Sequence, residues 1–325
     1  MLCVAALLAP PAHAQRPRPD PGVLLHVTFD QLRAPFGPTP AQMAKIFLVD
    51  QRECRVIIDG TFNGFPHNAQ DIVVSPDGDR RRGNVLRVFN SKGAYKHTDG
   101  SNPPSAGAYR PLTAHPRSEN FGDEIFGSYE RYVPVINPRT GKPYQQTKNM
   151  KQPLGFYGGS LRFEGVRKPD GTDGWSYRVI VLGPKAGARR WGVTDYLYDM
   201  NHFQSNRIHG GDKVAENPSL SPLVDVVPGK WWKITLYMKL NTPGKRDGKS
   251  RVWVGEVGKP QNLLIARERL EFQARGHRLP IKGMFSLYGY GGNNPSFAAP
   301  EDQDNYFDNF IVRTTKPPDI PAEDL

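Results

Sequence analysis

Two short stretches carry residue types suited to work on an anionic substrate. Gly174-Trp-Ser-Tyr-Arg-Val-Ile-Val-Leu182 reads as a strand, and Asp195-Tyr-Leu-Tyr-Asp-Met-Asn-His202 follows it. Successive side chains of a strand point to opposite faces. Trp175, Tyr177, Val179 and Val181 then form an apolar face, and Ser176 and Arg178 project from the other. By the same rule Tyr196, Tyr198 and His202 share one side of the second stretch. Arginine presents a planar fork of donors to a carboxylate, and a tyrosine or histidine can pass a proton. Upstream, Lys151-Gln-Pro-Leu-Gly155 adds a cation and an amide in Lys151 and Gln152. No apolar packing calls for this set on one groove, so it reads as a site. The plain alternative is that alternating tyrosines merely suit a pleated surface, and that Arg178 serves a surface ion pair.

The elements that must hold these residues are strands. Leu24–Asp30, Arg55–Asp59, Asp71–Val74 and Asn84–Asn90 read as strands, Ile125–Val135 contains one, and Gly159–Glu164 reads as another. Residues 40–48 offer one of very few helical turns, and residues 91–120 read as a long loop rich in Gly, Pro, Ser and Asn. The clearest hairpin follows. Trp232, Ile234, Leu236, Met238 and Leu240 alternate with Lys233, Thr235, Tyr237 and Lys239, turn residues fill 241–248, and Arg251–Gly255 returns. Strands at Met284–Tyr288 and Asn305–Val312 complete the pattern. Many short strands and frequent turns indicate an all-β sandwich in one domain over residues 23–315, with residues 316–325 a polar tail.

Lys and Arg number 43 against 32 Asp and Glu, a formal charge of +11, which suits an anionic partner. The basic residues are scattered, and no helix-turn-helix, zinc-finger spacing or ribonucleoprotein motif is present, so nucleic acid is not the expected partner. Residues 1–14, MLCVAALLAPPAHA, form a short apolar run closing in Ala12-His13-Ala14. This pattern fits a signal peptide and is too short for a membrane span. A proline-rich leader, 15–22, follows. The expectation is a secreted or periplasmic monomer. With Cys3 removed, Cys54 stands alone, a buried structural thiol with no disulfide.

Several phrases resemble the jelly-roll polysaccharide lyases of families 14 and 20, the alginate and glucuronan lyases. They are Pro153-Leu-Gly-Phe-Tyr-Gly-Gly159, Gly174-Trp-Ser-Tyr-Arg178, Lys239-Leu-Asn-Thr-Pro-Gly244 with Asp247-Gly248 and Arg251-Val-Trp-Val254, and Tyr288-Gly-Tyr-Gly-Gly292 leading to Tyr306-Phe-Asp-Asn-Phe310. The resemblance implies a concanavalin-like β-jelly-roll sandwich of two antiparallel sheets, with a concave groove for an anionic polysaccharide. It also implies a site built from a Ser-x-Arg strand, a Tyr-x-Tyr strand and an upstream lysine. Ser176 and Arg178 match the first, and Tyr196 and Tyr198 the second. The lysine's Lys-Leu-Pro-Gly phrase departs here to Lys151-Gln-Pro-Leu-Gly155, which leaves Lys151 or Gln152 in the lysine's place.

The implied reaction is β-elimination, in which a proton leaves C5 beside a carboxylate and the C4 oxygen departs. Arg178 and Lys151 or Gln152 would meet the carboxylate. Tyr198 and Tyr196 would supply base and acid in an order left open, with His202 an alternative base, and Ser176 would position the substrate or Arg178. No cofactor is required. A structural calcium held by Asp302, Asp304 and Asp308 with Asp30 is the one metal option. The rival readings are a non-catalytic carbohydrate-binding sandwich and, last, a glycoside hydrolase, for which the paired carboxylates are missing.

Overall fold

Apolar residues at every second position, interrupted by glycine and proline, fold here as strands. The structure, a computed structural model, describes residues 20, 22–30, 51–54, 58–59, 70–79, 81–93, 110–114, 121–145, 150–159, 174–182, 190–199, 223–286, 289–290 and 298–325. In chain order the strands are β1 (Val23–Val27), β2 (Gln51–Cys54), β3 (Ile58–Asp59), β4 (Gln70–Val74), β5 (Asn84–Asn90) and β6 (Arg110–Ala114). There follow β7 (Glu124–Val133), β8 (Met150–Gly159), β9 (Gly174–Leu182), β10 (Arg190–Tyr198), β11 (Leu223–Asp225) and β12 (Lys230–Lys239). The last are β13 (Gly248–Glu256), β14 (Asn262–Leu270), β15 (Ile281–Ser286), β16 (Gly289–Tyr290) and β17 (Gln303–Arg313). No helix among the described residues is long and apolar enough to cross a membrane.

The strands make two antiparallel sheets. The first runs β14-β13-β12-β7-β17-β1-β2, with β5 beside β17 and β4 beside β5; the second runs β11-β10-β9-β8-β15-β6-β3, with β16 beside β8. This is the jelly-roll sandwich expected. Parity decides what fills it. In β12, Trp232, Ile234, Leu236 and Met238 enter the main core, and Trp231 and Tyr237 join aromatic clusters on the other face. Phe156, Tyr177 and Leu197 of the second sheet share that core with Tyr129 and Phe307 of the first. A Cβ at Gly127 of β7 would lie 2.6 Å from a Leu154 methyl and 2.8 Å from the Phe156 ring. Only glycine lets the two sheets close at that point.

The structure departs from the sequence expectation in identifiable places. Strand β6 lies inside the stretch read as a loop over 91–120, and β14 was not anticipated. The helical turn at 40–48 and most of the strand at 159–164 fall outside the described residues. The polar tail is part of the domain. Ile320 is buried among Phe126, Tyr237 and Trp253 on the outer face of the first sheet. Asp319 accepts from Lys233 Nζ at 2.8 Å, and Asp324 from Trp253 Nε1 at 2.9 Å. Ile320 covers an aromatic patch that would otherwise face water, and the bonds to Asp319 and Asp324 fasten the segment on either side of it.

Candidate active site

Strands β9 and β10 bring the expected residues together. Their antiparallel register pairs Tyr196 with Arg178 and Tyr198 with Ser176. All four side chains leave the second sheet on its outer face, since Trp175, Tyr177, Val179, Val193 and Leu197 fill the core. The Arg178 guanidinium carbon lies 4.4 Å from the Tyr196 ring centroid and 5.9 Å from that of Tyr198. The two phenol oxygens are 2.9 Å apart, in hydrogen-bond contact. Ser176, Arg178 and Tyr198 are only 3%, 4% and 5% exposed. The Ser176 Oγ is buried with no hydrogen-bond partner among the described residues. A hydroxyl left unpaired in a dry place is poised for a ligand.

The inward positions of the same strands hold this face in place. Trp175 Nε1 donates to the Leu279 carbonyl at 2.8 Å, and the Tyr177 phenol to the Arg251 carbonyl at 3.0 Å. Burial holds the Tyr177 phenol well above the usual tyrosine range, so it remains a donor. Asp195, between Thr194 and Tyr196, receives Arg267 Nε at 2.6 Å and Nη2 at 2.7 Å, both side chains being fully buried. This bidentate ion pair joins β10 of one sheet to β14 of the other. Sequence reading did not single it out. The available signal was an aspartate on the core parity of an otherwise apolar strand. Tyr157, 1% exposed, pairs with Ser176 from β8 and was likewise not nominated.

Gln152 does not belong to this face. It is fully buried, accepts from the Tyr129 phenol of the opposite sheet at 3.1 Å, and donates to the Met150 carbonyl at 3.2 Å. The assignment of Gln152 to substrate is therefore corrected: it is a core amide satisfied across the sandwich. Its place follows from alternation along β8: Met150, Leu154 and Phe156 fill the core and Gln152 shares their parity, and the register shift between Lys151 and Gly155, four residues against two on β9, leaves that parity unchanged. Lys151 pairs in the backbone with Ile180, on the register parity of Arg178 and Ser176; its side chain, and the whole of His202, fall outside the described residues. The aspartates considered for calcium are engaged separately. Asp302 accepts from Lys92 N, Asp304 from Arg139, and Asp308 from Arg82. Among the described residues no group of three or more His, Cys, Asp or Glu side chains converges on one point.

The fold and the outward cluster define a β-jelly-roll sandwich with an arginine and two contacting tyrosines on one face, and comparison with known proteins gives its family. The family model for polysaccharide lyase 14 matches residues 80–310. The chain belongs to that family and is a polysaccharide lyase. Among solved structures it is similar to the alginate lyase Aly36B, with a TM-score of 0.59 at 17% identity, covering 91% of this chain and 98% of that one. It is also similar to a family 14 alginate lyase from Aplysia kurodai, with a TM-score of 0.58 at 18% identity over 90% and 99% of the two chains. An alginate lyase from Chlorella virus matches with a TM-score of 0.52 at 19% identity over 78% and 93%. Aly36B variants with a lysine replaced have been solved with alginate oligosaccharides bound. A search of curated proteins gave no match.

Proposed function

We propose that this lyase cleaves a uronic-acid polymer, alginate or glucuronan, by β-elimination at the Arg178–Tyr196–Tyr198 cluster. The carrying observation is the guanidinium stacked 4.4 Å from the Tyr196 ring beside two phenol oxygens 2.9 Å apart. A uronate carboxylate makes its own C5 proton hard to remove, because the electron pair left behind adds to a negative charge. Arg178, in a covered site, offers that charge a forked partner, and such preorganised donors are worth about 3 kcal/mol each in other enzymes. One tyrosine acts from its phenolate form, takes the C5 proton and ends as a neutral phenol. The pair left on C5 forms the C4–C5 double bond, the C4–O4 bond breaks, and the other tyrosine returns a proton to O4. No water is consumed and no redox partner enters. A phenolate and a phenol sharing one hydrogen bond suit opposite roles, the phenolate as base and the phenol as acid, and after the step the proton gained by one passes back along that bond to the other. Ser176 Oγ holds the sugar, and Lys151 lends a second cation to the carboxylate. The net charge of +11 favours capture of a polyanion. The leader at residues 1–14 supports export, to the periplasm or beyond the cell, where such polymers are met.

The test is ultraviolet absorbance of the new conjugated double bond on alginate blocks, glucuronan and glycosaminoglycans. Rising absorbance that is lost in Tyr198→Phe and Arg178→Ala is the expected result. A flat trace with new reducing ends would mean hydrolysis, and a flat trace with retained polymer binding would mean a binding module; either would sink the proposal.

A further inference from the structure

Lys282 is exposed within β15, between buried Ile281 and buried Gly283. β15 is an interior strand, flanked by β8 and β6, and its Ile281 and Met284 fill the core. A solvated lysine there leaves the sheet on the outer face, which is the face of Ser176, Arg178 and Tyr198. Lys282 is the extra residue where β15 shifts register between Ile281 and Gly283, and its neighbour Gly283 stands in one row with the site: Gly283 pairs with Tyr157, Tyr157 with Ser176, and Ser176 with Tyr198. Three inter-strand spacings, about 14 Å, separate the ends of this row. A chain crossing the strands from Tyr198 would reach Lys282 several sugars away.

The segment leading into Lys282 is fastened to the same end of the site. Glu271 N donates to Asp199 at 3.2 Å, next to Tyr198. The Phe272 ring lies 5.3 Å from Trp175, next to Ser176, and Leu279 receives the Trp175 indole. Between these anchors Arg275, His277 and Arg278 are exposed. Arg278 meets exposed Asp123 at 3.0 Å. Among the described residues Lys282, Arg275 and His277 enter no ion pair. Lysine and arginine charges left unneutralised beside a covered arginine site have a use if the ligand carries a charge on every ring.

We propose that Lys282, rimmed by Arg275, His277 and Arg278, is a carboxylate subsite that holds a uronate ring of the same polymer several residues from the bond that breaks. The proposal rests on the polyuronate reading above. It makes length and charge of the substrate, and not only the ring at the cleavage point, determinants of recognition.

Elimination kinetics on the polymer and on the shortest cleavable oligouronate, each at low and high salt, test it with Lys282→Ala, Lys282→Glu and Lys282→Arg. For the polymer, KM should rise about threefold in Lys282→Ala and about tenfold in Lys282→Glu, with kcat nearly constant, as for one exposed ion pair lost or reversed. Lys282→Arg should behave as wild type. The rise should vanish on the shortest substrate and shrink at high salt. Equal changes on short and long substrates, or none on either, overturn the subsite. Arg275→Glu, on an exposed turn, repeats the test should a Lys282 variant melt early. If wild type eliminates no polyuronate, the function proposal fails on its own. Calorimetric titration with the long oligouronate then decides the subsite: weaker binding by Lys282→Glu supports it, and unchanged binding overturns it.

Discussion

Replacing Arg267 by methionine would remove the cation that neutralises Asp195 inside the sandwich. The pair is bidentate, at 2.6 and 2.7 Å, with both side chains 0% exposed. The remaining carboxylate would sit in a dry core, and breaking a buried pair in this way costs about 3–5 kcal/mol. Replacing both partners, in Asp195→Leu/Arg267→Met, removes two desolvation penalties together and should return to within about 2 kcal/mol of wild type. Urea unfolding at constant m-value reads the difference, and for a chain of this size the single variant should melt roughly 10 °C earlier. A second readout ties the pair to the site. Asp195 is the inward neighbour of Tyr196, so loosening it lets β10 rotate, and kcat on the polymer should fall in molecules still folded at the assay temperature. KM, set largely by charges elsewhere on the face, should move less. A single-variant cost below about 1 kcal/mol, well under the range for a broken buried pair, would refute the reasoning. So would a double variant as unstable as the single, since the penalty would then not come from a stranded charge.

Three further outcomes follow from the geometry. Arg178→Lys keeps the charge but loses the fork and the stacking on Tyr196, and should cost at least about tenfold in kcat/KM on the polymer; wild-type kinetics would show that a point charge suffices. Burial pushes the Asp308 carboxyl up to about 8, with the backbone N–H of Asn309 and Arg82 opposing and Glu130 adding to the rise. Its folded pKa thus exceeds the unfolded value of 3.8, so this contribution to stability is full below about pH 4 and is lost as pH rises towards about 8. The slope is at most about 1.4 kcal/mol per pH unit, and Asp308→Asn should flatten it in urea titrations across that range; an unchanged slope would count against the assignment. Ile320→Ala should destabilise by about 2–4 kcal/mol, because Ile320 is 2% exposed against Phe126, Tyr237 and Trp253. A cost near zero would mean that the C-terminal segment is an ornament and not part of the domain.

Legibility in the sequence followed the period of the strand. Where alternation was unbroken, as in β12 and β9, the faces assigned from sequence are those observed: Trp232, Ile234 and Leu236 inside, Ser176 and Arg178 outside. The shared face of Tyr196 and Tyr198 was legible because a strand has its own parity; that Tyr196 opposes Arg178 required the structure. Parity holds in β8 too, and it separates the two residues that the sequence leaves as alternatives. Lys151 shares the parity of the outward row, and Gln152 that of Met150, Leu154 and Phe156 in the core, where Tyr129 of the other sheet satisfies it. What hid this was the strand itself: a proline inside Lys151-Gln-Pro-Leu-Gly155 argues against an interior strand, so alternation there is not legible from sequence, and the two extra residues opposite β9 take up the irregularity without changing face. Asp195–Arg267 escaped for a different reason. Its partners are 72 residues apart, and a buried charge is tolerable only because of a partner that sequence spacing does not identify.

The same parity explains how a stable sandwich can carry a costly site. Outward positions of β9 and β10 hold Ser176, Arg178, Tyr196 and Tyr198, and inward positions hold Trp175, Tyr177, Val179, Val193, Asp195 and Leu197. Taking an arginine from water is unfavourable, yet Arg178 is 4% exposed. The faces of two tyrosine rings offset part of that cost through cation–π attraction, and the inward residues fix both strands against the first sheet. What remains is a guanidinium less solvated than on a surface, so its attraction for a carboxylate is larger. The tyrosines that stabilise the cation are also those placed to move the protons, which couples charge neutralisation to proton transfer. Loss of either ring would then weaken Arg178 as well as remove an acid or base. Arg178 and the two tyrosines therefore act as one unit, and their single substitutions should not add.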